Sequence, residues 1–314
     1  MAAQLDVSEV MQRARRSADP FEAFDWGMGM YSVRDPYPRF AELRRRGPIH
    51  RVDLSKWFPP FMAPDEDPHG WAVLSWSLAS RVLRDAATFS SAKYQRTAEA
   101  VMGKNLLSTD PPEHTRYREL VAQAFSPRAI ALWEEEVVRP VIRGLLEELA
   151  PRGRADLARE FTFRFPVEVI ARLFGLPDDD RADFHRWGVE LQCVLFDFER
   201  GVAASRKLTD YLLPVIEAHR RASREDLLSG LLAAELGGEK LSDEEILGFM
   251  RLLLPAGLET TYRAAGNLLC ALLTHPEQLA AVRAQRGLVD AAVEESMRWE
   301  TPLTGGLRVA TRDV

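Results

Sequence analysis

Cysteine is almost absent: the 314-residue chain has two, Cys193 and Cys270, far apart and without the spacing of metal ligands. That scarcity argues against a disulfide framework or structural zinc and fits a reducing compartment, with the cytoplasm as the expectation. No apolar run is long enough for a membrane span, and the opening MAAQLDVSEVMQRARRSADP is polar where a secretion signal would be continuously apolar. Neither membrane anchoring nor secretion is therefore expected. A strong charge bias is missing too: 41 basic against 47 acidic residues leave a net charge of -6, which points to no nucleic-acid partner and no acidic membrane. There are no internal repeats and no low-complexity segments.

What remains is an ordinary globular composition, 46% hydrophobic and 28% charged, in a chain with ample material for a core. Residues 1–109 read as a mixed α/β region. An amphipathic segment from Tyr37 to Arg46 stops at Gly47-Pro48, and IHRVDL and GWAVLSW are β-like runs that can pair as a small sheet. Between them SKWFPPFMAPDEDPHG is too proline-rich for regular structure, and SLASRVLRD reads as a short helix behind a serine cap.

Residues 110–314 read as a helical core, so the fold class is mainly α with a small β-sheet region. Asp110 can cap a helix with Pro111 and Pro112 in its first positions, running to about Phe125, and Ser126-Pro127 restarts another. Further helices are expected at 128–150, 157–173, 179–198, 201–221 and 224–234. Ser242 and Glu245 make a capping box, and the helix they open can reach Thr274, about 48 Å at about 1.5 Å per residue, as a central strut. Pro276 opens a helix ending near Gly287, and one more spans Val289 to Trp299, short of Pro302.

The strut is interrupted in its middle by LLLPAGLETTYRAAG, residues 252–266. Pro255 removes a backbone donor and crowds the carbonyl of Arg251, and Gly257 allows a close approach. Thr260 can turn its hydroxyl onto the carbonyl of Ala256 and open the ladder. Glu259 beside it makes an acid-hydroxyl pair suited to proton delivery. From these residues alone, a bend with Glu259 paired to Arg263 four positions on is the alternative.

This stretch resembles the central helix of cytochrome P450 monooxygenases, whose pattern of small residue, Gly, any residue, acid and Thr is met by Ala256, Gly257, Leu258, Glu259 and Thr260. Three other segments agree in order and spacing: DPPEHTRYRELVAQAFSPRAI at 110–130, EESMRW at 294–299 with Glu295 and Arg298, and PLTGGLRVATRDV at 302–314 with Arg308. DPYPRFAELRRRGPIHRV and GWAVLSW resemble the start of the soluble bacterial members, so the resemblance covers essentially the whole chain.

The resemblance implies a haem b cofactor, insertion of one oxygen atom from O2 into a small organic substrate, and electrons from a separate ferredoxin or flavoprotein. It assigns His114, Arg118 and Arg308 to the haem propionates, Ala256 and Gly257 to the haem-facing notch, and Glu259 and Thr260 to proton delivery. A histidine and an arginine four apart on one helical face can serve one anionic group. Glu295 and Arg298 become a structural ion pair of the core, so Arg298→Ala is expected to prevent folding or haem retention. Substrate contacts fall by family position on the loop Thr97 to Leu107, on Gln192 to Phe198, on Leu253 and Ala256, and on Leu303 to Gly305. Met102, Val194, Phe196, Leu253 and Leu303 suggest a largely apolar pocket, and each is equally compatible with ordinary core.

The family's iron ligand is a cysteine thiolate in a glycine-rich loop after the strand carrying the basic residue, and neither Cys193 nor Cys270 matches that position. The chain is therefore expected to be a P450-like domain whose C-terminal portion is missing, and inactive as it stands, or else a haem-less scaffold or binding protein of the same fold. A rival from another class rests on Asp179-Asp180 and Asp183, the spacing with which all-helical prenyl-diphosphate enzymes hold magnesium. GLPDDDRADF reads better as a loop entering a helix, and no metal site is assigned.

Overall fold

The computed structural model describes residues 7–28, 35–54 and 69–314. Most of SKWFPPFMAPDEDPHG lies outside them. The first helices are α1 (Val7–Arg16), α2 (Pro20–Gly27) and α3 (Tyr37–Arg46), the last ending at Gly47 as expected. The two β-like runs pair antiparallel as β1 (Ile49–Asp53) and β2 (His69–Val73), in a register that sets Arg51 opposite Trp71. Helix α4 (Trp76–Arg84) is capped by Ser75, whose Oγ accepts from Leu78 N. The cap thus lies before SLASRVLRD, because the chain leaves β2 in an extended conformation that only Ser75 still shares.

A short strand, β3 (Phe89–Ser90), precedes α5 (Glu113–Ala124), α6 (Pro127–Trp133) and α7 (Arg139–Leu149). Asp110 does not cap α5. Its carboxylate instead accepts from the Ser90 hydroxyl and the Ser91 N–H, leaving Pro112 at the cap position. Helices α6 and α7 are joined by a wide turn, Glu134–Val138, in which the Arg139 N–H reaches the Glu134 carbonyl. Pro140 follows directly and has no N–H, which is where a normal ladder would break.

Then come α8 (Phe165–Leu173), α9 (Arg181–Gln192), α10 (Phe198–Arg221), α11 (Leu227–Ala233), a hairpin of β4 (Glu235–Leu236) and β5 (Glu239–Lys240), and the long α12 (Asp243–Thr274). Both halves of the Ser242–Glu245 capping box are formed, and α12 runs unbroken through Pro255. Helices α13 (Pro276–Ala284) and α14 (Val289–Trp299) follow, and β6 (Val309–Ala310) returns to pair with β3. Among the described residues, no helix is long and apolar enough to cross a membrane.

The core is one contiguous cluster that includes Phe24, Leu120, Phe184, Leu208, Leu231 and Leu258. Helix α12 runs through it. Its first half is packed on several sides, with Ile246, Leu247, Gly248, Phe249 and Met250 all buried, whereas no residue after Tyr262 on this helix is buried.

Candidate active site

Although α12 is continuous, the hydroxyl bond expected in its middle is formed. The Thr260 hydroxyl donates to the Ala256 carbonyl at 2.7 Å, and Ala256 is exposed between the buried Leu254 and Leu258. A small residue is thus bared one turn before the Thr260 hydroxyl, on a helix that is otherwise central. Glu259 pairs with Arg263 at 2.9 Å, one turn along. Burial pushes the Glu259 carboxyl up, and the Arg263 guanidinium partly opposes that rise. The Thr260 hydroxyl and the Glu259 carboxyl thus have separate partners, Ala256 one turn back and Arg263 one turn on.

A Cβ built on Gly257 would lie 2.9 Å from Ile170 Cδ1, so α8 packs against this position. The two small residues point about 100° apart around the helix: Ala256 is exposed, and Gly257 faces a neighbouring helix.

His114 and Arg118 lie on α5; the imidazole is half-buried, the guanidinium is exposed, and neither side chain is bonded to a described residue. Arg308 reaches the start of the same helix because β6 pairs with β3, and because Leu307 N donates to the Tyr94 hydroxyl at 2.9 Å. Burial works to raise the Asp110 carboxyl, but hydrogen bonds from Ser90 and Ser91 and the charge of Arg308 prevail and lower it. The Asp110 carbonyl accepts from His114 N at 3.0 Å. The charge of Arg308 thus acts on Asp110, at the entrance to the helix that carries His114 and Arg118.

The remaining site residues divide. Met102, Val194 and Phe196 are buried in the core cluster: Val194 lies against Gly201, the Phe196 ring fills the space over Gly27, and the carbonyl of Met102 faces Gly248. Leu253 is partly buried against the core, and Leu303 is 65% exposed. Glu295 and Arg298 do pair, through two bonds of 2.6 and 2.7 Å, yet their side chains are 61% and 70% exposed. The strong dependence expected of a core pair does not apply to this chain, because water solvates either charge left alone. Arg298→Ala should leave the urea midpoint unchanged within error, and a clear downward shift would restore the core role.

Sequence reading missed Arg251. Its guanidinium bonds Ser205 Oγ at 3.0 Å and Thr209 Oγ1 at 3.2 Å, tying α10 to α12 one turn before Pro255. The only signal was an arginine within an apolar helix. Of the magnesium candidates, the Asp180 carboxylate is taken by the Tyr211 hydroxyl at 2.6 Å, while Asp179 is exposed.

Residues 191–314 match the cytochrome P450 family model. The monooxygenase PikC of Streptomyces venezuelae is 38% identical over 285 residues, 88% of this chain and 65% of that protein. The vitamin D(3) 25-hydroxylase of Pseudonocardia autotrophica is 32% identical over 90% of this chain and 68% of its own length. The chain belongs to the cytochrome P450 family. Its fold superposes on cytochrome P450 CYP109Q5 from Chondromyces apiculatus with a TM-score of 0.77 at 36% identity, covering 90% of this chain and 69% of that one. The chain thus spans about two thirds of the length of the P450s it matches. Members of this family bind haem b.

Proposed function

We propose that this P450 chain is part of a monooxygenase that places one atom of dioxygen on a small, largely apolar organic molecule, with electrons from a separate ferredoxin or flavoprotein. The observation that carries the reading is the Thr260–Ala256 hydrogen bond at the bared turn of α12, with a carboxyl on the adjacent residue. The donor set fits haem: His114 and Arg118 have no acid partner among the described residues, and the charge of Arg308 acts on Asp110 at the entrance to the same helix. These three would hold the propionates, and Ala256 would face the ring. When bound, haem supplies the reductive activation of dioxygen.

The chain's own residues manage protons. With its hydrogen directed at the Ala256 carbonyl, the Thr260 oxygen is left as an acceptor, able to hold a water or a protonated donor. Glu259, raised by burial and steadied by Arg263, can take up and release a proton at that point. A relative named for hydroxylating vitamin D(3) supports an apolar substrate. Leu253 and Leu303 remain as pocket candidates after Met102, Val194 and Phe196 are assigned to the core.

In the full-length reconstituted enzyme, Thr260→Ala should divert most NAD(P)H oxidation into hydrogen peroxide, while Thr260→Ser stays close to wild type. Equal coupling in all three proteins would remove the proton-delivery role.

A second reading, a P450-fold binding protein, is tested on the two cysteines of this chain. Cys193 is buried, and burial pushes its thiol up to about 12, so it is no thiolate at neutral pH; Cys270 sits on the exposed far part of α12. The purified chain should therefore show no thiolate-type Soret band with carbon monoxide after reduction. Such a band would make one of these cysteines an iron ligand.

A further inference from the structure

Arg116 stands midway between the two α5 residues that the proposed function gives to the propionates. Side chains two apart on a helix of about 3.6 residues per turn point about 160° from one another, so Arg116 faces away from both His114 and Arg118. Gln123, seven positions on, returns to the Arg116 side. The buried Tyr117, Leu120 and Ala124 seat the helix between these two faces.

The Arg116 side is fastened along two turns. Arg116 Nη1 donates to Glu245 Oε1 at 2.8 Å, and its Nε donates to Glu239 Oε2 at 3.3 Å. Glu245 is the capping-box residue of α12, and its other oxygen accepts from Ser242 N at 2.7 Å. Burial works to raise the Glu245 carboxyl, but bonds from Ser242 and Arg116 prevail and lower it, so the bond to the guanidinium is charge-assisted at neutral pH. The Glu245 side chain is 21% exposed against 71% for Glu239, which makes the α12 cap the firmer of the two anchors. Further along, Gln123 exchanges bonds with the backbone of β4: its Nε2 donates to the Glu235 carbonyl at 2.9 Å, and its Oε1 accepts from Glu235 N at 3.2 Å. The β4–β5 hairpin therefore lies lengthwise on α5, and the start of α12 holds the same arginine.

We propose that Arg116 is a positioning residue for haem: by fastening the far side of α5 to the α12 cap and the β4–β5 hairpin, it fixes the rotation at which His114 and Arg118 present their donors together. Both donors ride on one helical backbone, so a roll of α5 displaces them at once, and a change on the opposite face weakens the pair. The clasp stands on the contacts alone; its effect on haem rests on the assignment of His114 and Arg118 to the propionates.

Transfer of haem from the full-length ferric holoenzyme to excess apomyoglobin tests the positioning, with Arg116→Gln and the donor double variant His114→Ala/Arg118→Gln made singly and combined. Arg116→Gln should speed haem loss roughly tenfold, the scale of one charge-assisted bond, and Arg116→Lys, which can keep the Glu245 bond, should lie nearer the parent. With both donors already removed, Arg116→Gln should add little. The same factor in both backgrounds, or no acceleration in the parent, would overturn the positioning role, since a merely structural arginine acts whether or not the donors are present. If removing the donors alone leaves haem loss unchanged, the propionate assignment fails and this inference falls with it. The clasp is read without haem, by amide exchange on the 314-residue chain: Arg116→Gln should quicken exchange at 113–124 and 235–240 together, and unchanged exchange at 235–240 would overturn it. Should Arg116→Gln fail to fold, Glu239→Gln, which alters an exposed carboxylate, decides by the same exchange and the same transfer comparison.

Discussion

Replacing Asp226 by alanine should lower the unfolding free energy by about 3–5 kcal/mol, the cost of stranding one member of a buried polar pair. Asp226 Oδ2 lies 2.8 Å from His219 Nε2, and His219, 3% exposed, places its Nδ1 2.8 Å from the Val215 carbonyl. The other carboxylate oxygen accepts from Ser229 N at 2.8 Å and caps α11. Gly175 closes one side of the site: a Cβ there would lie 2.7 Å from Asp226 Oδ2 and 2.9 Å from His219 Nε2. The truncation therefore removes a cap and leaves a buried imidazole nitrogen without its acceptor. Urea unfolding followed by tryptophan fluorescence measures the loss, and Asp226→Asn, whose amide oxygen can still accept from Ser229 N while its NH2 faces His219 Nε2, should lose clearly less. A loss below about 1 kcal/mol for the alanine variant, the scale of an exposed pair, would show that the site tolerates water.

The same substitution at two glycines of α12 should act in opposite ways. A Cβ on Gly248 would stand 2.8 Å from the carbonyl oxygen of Lys104, a backbone atom fixed by the buried Asn105 turn. Gly248→Ala must displace that segment, and overpacking of this kind costs about 1–3 kcal/mol. On Gly257 the nearest atom is Ile170 Cδ1, at 2.9 Å, the free end of a side chain that can rotate away. There the helix gains about 1 kcal/mol from alanine over glycine, which offsets the repacking. Thermal or urea midpoints should fall for Gly248→Ala and stay nearly constant for Gly257→Ala. The reverse order would mean that Gly257, not Gly248, marks the crowded side of the helix.

Much of the helical framework was legible from local chemistry. The Ser242–Glu245 box, the Ser126-Pro127 restart, Pro276 and the Gly47-Pro48 stop all act within a turn or two of themselves, so reading them needs no knowledge of neighbours. The Thr260–Ala256 bond is equally local, a hydroxyl reaching the carbonyl one turn back. The β3–β6 pair was not legible, since strands of two residues, about 220 positions apart, carry no alternation to read. Helices α1 and α2 escaped notice in a stretch dominated by charge and small residues, where seating depends on a partner surface more than on propensity.

What the sequence determined by itself was a helical chain with one long strut, and the order of motifs that places it among the P450s. Which residues are wall and which are core was decided only by folding. Val194, Phe196 and Met102 are as apolar as any pocket lining, and Glu295 with Arg298 is as good a pair as any buried one. Spacing states which side chains share a face of one element, whereas burial and charge solvation depend on what lies opposite that face, and the opposing segments come from distant parts of the chain.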